Sequence, residues 1–139
     1  MEKMSRDSRS RIMRGVKSKN TTPEMIVRKF LHAAGLRYRL HVPELPGTPD
    51  LVFVKHRAVV EVRGCFWHGH FCLGERQPRT NAEFWIEKLA RNKRRDAANL
   101  RALRRLGYRV KVVWECELQP KRLQSTLGRL MVWIQGEGR

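Results

Sequence analysis

Apolar residues recur at helical spacing near the start of the chain, and this pattern predicts the first helix. The apolar face of residues 21–35 is formed by Ile26, Val27, Phe30, Leu31 and Ala34. Either Thr21 and Glu24 form a capping box, or Thr22 caps the helix with Pro23 in its first turn. Gly35 is a natural stop, because glycine adopts the left-handed conformation in which many helices end.

Two further segments have helical patterns. Residues 80–107 begin with a second capping box, Thr80 and Glu83, and end at Gly107, and their length favours a kink or break near residues 91–93. Residues 123–134 form the last predicted helix. Its expected buried stripe consists of Leu127, Leu130, Met131 and Ile134.

Four stretches have the alternating or continuously apolar pattern of strands: residues 37–42, 50–54, 58–63 and 108–115. Residues 55–57 form a tight turn, so the second and third strands should be antiparallel. The order of helix, three strands, helix, strand, helix predicts an α/β fold with a central mixed β-sheet flanked by helices. Within the 139 residues we expect a basic N-terminal arm, residues 1–20, and a single domain, residues 21–139.

The formal net charge of +17 indicates a polyanionic partner. Nucleic acid is the first such partner to consider, and a membrane surface is the second. We expect no membrane span, because no apolar run approaches the roughly 20 residues that a span needs. We also expect no secretory signal. An odd number of cysteines, three, argues against a disulfide framework. We therefore expect a reducing compartment. With nucleic acid as the partner, the expected location is cytoplasmic and nucleoid-associated.

Two acids and one cation are predicted to meet at an edge of the sheet. Asp50 opens one strand, while Glu61 and Arg63 share a face of the next strand, which the short hairpin brings alongside. Such a pattern is typical of nucleases, because carboxylate oxygens hold Mg²⁺, which activates water for phosphodiester cleavage. The alternative is a solvated strand face with a cross-strand ion pair.

Cysteine and histidine are concentrated after the third strand. Cys65, Cys72 and the more distant Cys116, with one histidine, would form a closed tetrahedral zinc site that stabilises the fold. Spacing alone leaves open whether His68 or His70 is the fourth ligand. The alternative is three buried cysteines that act as small hydrophobic residues. The other histidines, His32, His41 and His56, show no clustering in the sequence.

Several aromatic residues lie among basic ones. Phe66, Trp67 and Trp85 could wedge into DNA, although core packing is at least as good an interpretation for each. Trp114 and Trp133 lie on apolar faces and are expected in the core. Arginines and lysines between positions 91 and 105 follow a helical surface, where they would contact phosphates or simply face solvent.

The motifs "GTPD", "GCFWHGHFC", "EFWIEKLARN" and "LGYRVKVVWECEL", in this order, resemble the very-short-patch repair (Vsr) mismatch endonuclease family. The resemblance extends over nearly the whole chain, from the basic arm to Trp133. It implies a restriction-endonuclease-like fold with a structural zinc. It also implies an enzyme that uses Mg²⁺ to nick one DNA strand on the 5′ side of the thymine in a T·G mismatch, which arises when 5-methylcytosine deaminates.

Roles for individual residues follow from the same resemblance. It implies that Asp50 and the backbone carbonyl of Val62 bind Mg²⁺, and that His68 assists the water or the leaving group. Glu24 matches an acidic residue near the site. The implied zinc ligands are Cys65, His70, Cys72 and Cys116. The implied DNA contacts are the wedge of Phe66, Trp67 and Trp85, and the arm residues Met13 and Arg14.

One segment departs from the family pattern, which has an apolar residue, threonine and histidine immediately before "GCFWH". Glu61, Val62 and Arg63 stand at those positions here. We hypothesise that Glu61 is an additional Mg²⁺ ligand and that Arg63 stabilises phosphate in place of the missing histidine. Because a guanidinium keeps its proton, His68 would then carry proton transfer alone.

The expected substrate is double-stranded DNA with a T·G mismatch, cut by a monomer that interacts with a mismatch-repair protein of the MutL type. One alternative is a nuclease of the same fold with another specificity, such as matched foreign DNA, which Glu61 and Arg63 motivate. The other is a zinc-stabilised DNA-binding module without catalysis.

Overall fold

A computed structural model describes residues 20–65, 70 and 82–136. The helices are α1 (Thr22–Ala33), α2 (Ala82–Arg105) and α3 (Leu123–Gln135), and the strands are β1 (Arg39–Leu40), β2 (Leu51–Phe53), β3 (Ala58–Arg63) and β4 (Arg109–Trp114). Two short 3₁₀ helices follow β2 and β4. This is the predicted order of helices and strands.

The strands form one sheet in the order β1-β2-β3-β4. β1 and β2 are antiparallel, as are β2 and β3, whereas β3 and β4 are parallel. The tight turn predicted after β2 is a 3₁₀ helix, Val54–His56, followed by Arg57 in the left-handed conformation with φ of +48°. The predictions of an α/β class, a mixed sheet and an antiparallel hairpin are therefore confirmed.

Helices cover both faces of the sheet. Val60 and Phe53 pack on one face with Val27 and Leu31 of α1 and with residues of α3. Val59 and Val52 point to the opposite face, where they pack with Leu103 of α2. This alternation follows from the side-chain period of a strand. Within the part of the chain that the structure describes, no helix is long and apolar enough to cross a membrane.

Glycines end two of the helices in the same way. Gly35 and Gly107 have φ of +90° and +93°. After α1, the N–H of Leu36 donates to the carbonyl of Leu31 at 3.0 Å, and after α2 the N–H of Tyr108 donates to Leu103 at 3.2 Å. These are Schellman bonds, which satisfy carbonyls left over at the ends of helices. The two predicted stops are confirmed.

Three predictions need correction. α2 is one continuous helix of 24 residues, so the break expected near residues 91–93 is wrong. Its sequence lacks glycine and proline and is rich in helix formers, so nothing local interrupts it. The first strand has two residues instead of six, because His41 has φ of +45° and leaves the extended conformation. The second strand begins at Leu51, one residue after Asp50.

The predicted stripe of α3 is largely buried. Leu127, Leu130 and Ile134 belong to the core, and Met131 packs against them while partly exposed. Trp133, expected in the core, is also only partly buried. Arg109 of β4 lies 4.6 Å from its ring and donates to its carbonyl at 2.8 Å. The indole therefore packs on the domain with one side against a cation.

The connection between β1 and β2 approaches α2 closely at Gly47. A Cβ there would lie 2.8 Å from Nδ2 and 2.9 Å from Cγ of Asn99, and Gly47 has φ of +77°. We expect Gly47→Ala to lower the free energy of unfolding by about 2 kcal/mol, measured by urea denaturation.

Gly128 in α3 is the matched control, because a Cβ there meets nothing within 4 Å. Gly128→Ala should stabilise the protein by roughly 0.5–1 kcal/mol, the difference in helix propensity. A Gly47→Ala protein as stable as the parent would contradict the close approach.

Candidate active site

Asp50 and Glu61 meet where the β2–β3 hairpin opens. Leu51 pairs with Val60, so the next pair in this register is Asp50 with Glu61. The N–H of Val62 donates to Oδ2 of Asp50 at 2.9 Å. The structure therefore brings together the two acids that the sequence predicted to be neighbours, and a backbone donor orients one of them.

Glu24 adds a third acid from the first turn of α1. Its side chain is only 2% exposed. Its own N–H donates to Oγ1 of Thr21 at 3.3 Å, which identifies Thr21 as the N-cap of the two candidates. The carboxylate accepts the N–H of Asn20 at 3.2 Å rather than that of Thr21, so only half of the predicted capping box forms. Helix capping thus holds Glu24 at the buried side of the site.

His41, which shows no clustering in the sequence, lies beside these acids in the structure. His41, Glu24 and Asp50 offer possible ligand atoms that all lie within 4.8 Å of one another. Nε2 of His41 lies 3.0 and 3.1 Å from the two carboxylate oxygens of Glu24. Strand pairing is the feature that could have predicted this position of His41. Leu40 pairs with Leu51, which places the next residue, His41, beside Asp50.

Burial dominates the electrostatics of Asp50. Removal from water raises the pKa of this carboxyl to about 7 from 3.8, against a smaller lowering by the Val62 N–H. The negative charges of Glu24 and Glu61 and a hydrogen bond with Glu24 raise the pKa further. A bound cation would neutralise these neighbouring negative charges. The donor set of carboxylates and imidazole therefore fits a divalent metal ion.

Glu61 and Arg63 form a close ion pair. Nη2 of Arg63 lies 2.6 Å from Oε2 of Glu61, and both side chains are nearly buried. The guanidinium also lies 5.8 Å from the ring centre of Trp114. This ion pair lies within β3, beside Asp50, and is not the cross-strand pair on a solvated face that the sequence left as the alternative. Arg63 thus holds a positive charge next to the acid group, by which we mean Asp50, Glu24 and Glu61.

A second group combines sulfur and nitrogen. Cys65, His70 and Cys116 offer ligand atoms that lie within 4.8 Å of one another, with Sγ of Cys116 3.7 Å from Nδ1 of His70. The N–H of His70 donates to the carbonyl of Cys65 at 2.8 Å. The His70 ring stacks on Trp114, with 4.1 Å between the ring centres. Thiolate and imidazole are the ligands that zinc prefers, so this donor set fits a structural zinc.

Several predicted site residues lie outside the described residues. These are the zinc ligand Cys72, the catalytic candidate His68, the wedge residues Phe66 and Trp67, and the arm residues Met13 and Arg14. Their assignments remain predictions, as does the role of the Val62 carbonyl.

Trp85 lies in the first turns of α2 beside exposed apolar side chains. Phe84 and Ile86 are each 53% exposed. The Phe84 and Trp85 rings meet edge to face at 5.5 Å, and the Lys88 ammonium lies 5.4 Å from the Trp85 ring centre. Further along α2 the exposed cations are Arg91, Lys93, Arg94, Arg95, Arg101, Arg104 and Arg105. An apolar, aromatic end and a basic length thus occur on one helix, which is the composition of a DNA-binding surface.

Comparisons with known proteins agree with this chemistry. The model of the family described as DNA mismatch endonuclease Vsr matches residues 1–74. The chain is 39% identical over 134 residues to the DNA mismatch endonuclease Vsr of Escherichia coli, which covers 94% of this chain and 86% of that protein. It is 47% identical over 117 residues to the type II nicking enzyme V.XorIIP of Xanthomonas oryzae, covering 84% of this chain and 86% of that protein.

A third relative is the type II nicking enzyme V.NmeAIP of Neisseria meningitidis, 44% identical over 124 residues, or 88% of this chain and 89% of that protein. Extensive identity to a DNA mismatch endonuclease and to nicking enzymes, together with the acids gathered around Asp50, leads to one conclusion. The chain belongs to the DNA mismatch endonuclease Vsr family and is a DNA endonuclease.

Proposed function

We propose that this enzyme nicks one strand of double-stranded DNA on the 5′ side of the thymine in a T·G mismatch, with Mg²⁺ as the catalytic metal. The observation that carries the proposal is that Asp50, just before β2, and Glu24, in the first turn of α1, offer ligand atoms within 4.8 Å of each other. Helices on both faces of the mixed sheet support a restriction-endonuclease-like fold. The family's T·G chemistry is what the resemblance implies for this chain.

Asp50 is the principal metal ligand in this proposal. The Val62 N–H fixes the orientation of its carboxylate, and the buried Glu24 adds oxygen donors. Glu61 is a further ligand in our hypothesis, and Arg63, which lies 2.6 Å from Glu61, would stabilise the phosphate. When bound, Mg²⁺ supplies polarisation of a phosphate oxygen and activation of a water. His68 is the proposed proton-transfer group.

Recognition in this proposal combines charge with unstacking. The exposed arginines and lysines of α2 would contact phosphates, each adding to the salt dependence of binding. Phe66, Trp67 and Trp85 would wedge beside the mismatch, which costs less to open than a matched pair. Met13 and Arg14 would contact the groove on the other side. A single active site that nicks one strand is consistent with the proposed monomer.

We expect the parent protein to nick an end-labelled T·G duplex in Mg²⁺ and to leave the matched C·G duplex largely intact. Asp50→Asn should reduce the nicking rate by at least about 10³-fold while duplex binding largely survives, because the metal ligand is lost but the phosphate contacts remain. Gel analysis of both strands measures the rate, the strand and the position of the cut.

Glu44→Gln is the matched control. The Glu44 side chain is 68% exposed, and its ion-pair partner is Arg39 rather than a residue of the proposed metal site. It should nick at the parental rate. Efficient cleavage of the C·G duplex would instead favour the alternative of a nuclease for matched DNA. An Asp50→Asn protein that still nicks would contradict the proposed metal site.

The same substitution should stabilise the protein at high pH. Because the pKa of Asp50 is raised to about 7 in the folded state, the folded state holds this proton more tightly than the unfolded state. The carboxyl therefore destabilises the fold increasingly as pH rises from about 4 to about 7, and constantly above that. Asp50→Asn should raise the free energy of unfolding by on the order of 1–3 kcal/mol at pH 8 without Mg²⁺, and hardly change it near pH 4.

Urea denaturation at the two pH values measures this difference. Glu44→Gln should show no comparable gain at pH 8. A loss of stability in Asp50→Asn at pH 8 would contradict the burial argument, and a gain would also show that lost nicking does not reflect unfolding.

We further propose one structural zinc, held by Cys65, His70, Cys72 and Cys116. Metal analysis of the purified protein should give about one zinc per chain. Cys116→Ser should reduce the zinc content and lower the free energy of unfolding by on the order of 3 kcal/mol, because metal binding is coupled to folding. The neighbouring exposed Glu115, changed to Gln, should retain both. A protein without zinc that tolerates Cys116→Ser would exclude the site.

A further inference from the structure

His41 is held beside the acid group by its backbone. It follows β1 directly, and its N–H donates to the carbonyl of Asp50 at 3.0 Å. Its φ of +45° is uncommon for a residue with a side chain and turns the chain out of the strand. The His41 side chain is 17% exposed, so the imidazole lies mostly inside the domain.

The imidazole contacts Glu24, an acid of the proposed metal site. Nε2 lies 3.0 Å from Oε2 and 3.1 Å from Oε1 of Glu24, whose carboxylate is 2% exposed. Adjacent ligands of an octahedral ion with bonds of about 2.1 Å are also separated by roughly 3.0 Å. The observed spacing therefore suits two groups that share a metal ion as well as it suits a hydrogen bond.

We propose that Nε2 of His41 is a nitrogen ligand of the divalent ion held by Asp50 and Glu24. This inference rests on the proposed function, since both place a metal ion at Asp50, and it adds a ligand and a metal preference. An all-oxygen site suits Mg²⁺, whereas an imidazole increases affinity for first-row transition metals relative to Mg²⁺. The site should therefore accept Mn²⁺ with higher affinity than Mg²⁺.

Mn²⁺ is the appropriate probe, because it favours carboxylate over the thiolates of the zinc group and is paramagnetic. Pulsed electron paramagnetic resonance of Mn²⁺ added to the zinc-containing protein should show coupling to a nitrogen nucleus. His41→Asn should remove that coupling, weaken Mn²⁺ binding about tenfold and change Mg²⁺ binding less than about threefold. Asparagine is chosen because it tolerates positive φ.

His41→Gln is the second variant and should behave in the same way if the chain folds, which urea denaturation checks. His32→Gln is the matched control, since His32 is an exposed histidine on α1. It should retain the parental coupling and affinity.

The outcomes separate this inference from the proposed function. Nitrogen coupling that persists without His41, or that is absent from the parent although Mn²⁺ binds at Asp50, overturns the ligand and leaves the Asp50 site in place. In the second case His41 only positions Glu24. Failure of the parent to bind Mn²⁺, or binding that Asp50→Asn leaves unchanged, overturns the ion site and the proposed function with it.

Discussion

The pairing of β3 on both of its edges determines where both candidate sites lie. Its antiparallel neighbour β2 brings Asp50 against the N–H of Val62. Its parallel neighbour β4 ends opposite Arg63, in the register Arg63 with Trp114, so the residues after the two strands lie close together. Cys65 and Cys116 consequently meet just beyond the sheet. A one-residue slip of β3 would turn Glu61 and Arg63 to the opposite face and separate both groups.

The acid group is a source of instability that the core offsets. Asp50 and Glu24 are buried close together, and the raised pKa of Asp50 reflects unfavourable removal of its charge from water. Beside them, Val60, Val59 and Phe53 are fully buried in two packed layers. The hairpin that carries Asp50 and Glu61 is packed on both faces of the sheet, which offsets this cost.

Local features of the chain were readable from the sequence. The apolar period and the glycines at positions 35 and 107 predicted the ends of two helices, and the two-residue spacing of Glu61 and Arg63 predicted that they share a face. The continuity of α2 was missed because length was weighed above the absence of helix breakers.

The position of His41 was missed for a different reason. Its neighbours in space, Glu24 and Asp50, are 17 and 9 positions away in the chain, and the pairing of β1 with β2 brings His41 to Asp50. In the zinc group, the sequence itself indicated Cys116 as a ligand, whereas the choice of His70 over His68 came from the family resemblance and not from spacing.

The indole of Trp114 lies between the two groups. It stacks on His70 and also lies near the guanidinium of Arg63, which holds Glu61. One aromatic ring therefore contacts a residue of each group, so the position of the indole bears on the geometry of both.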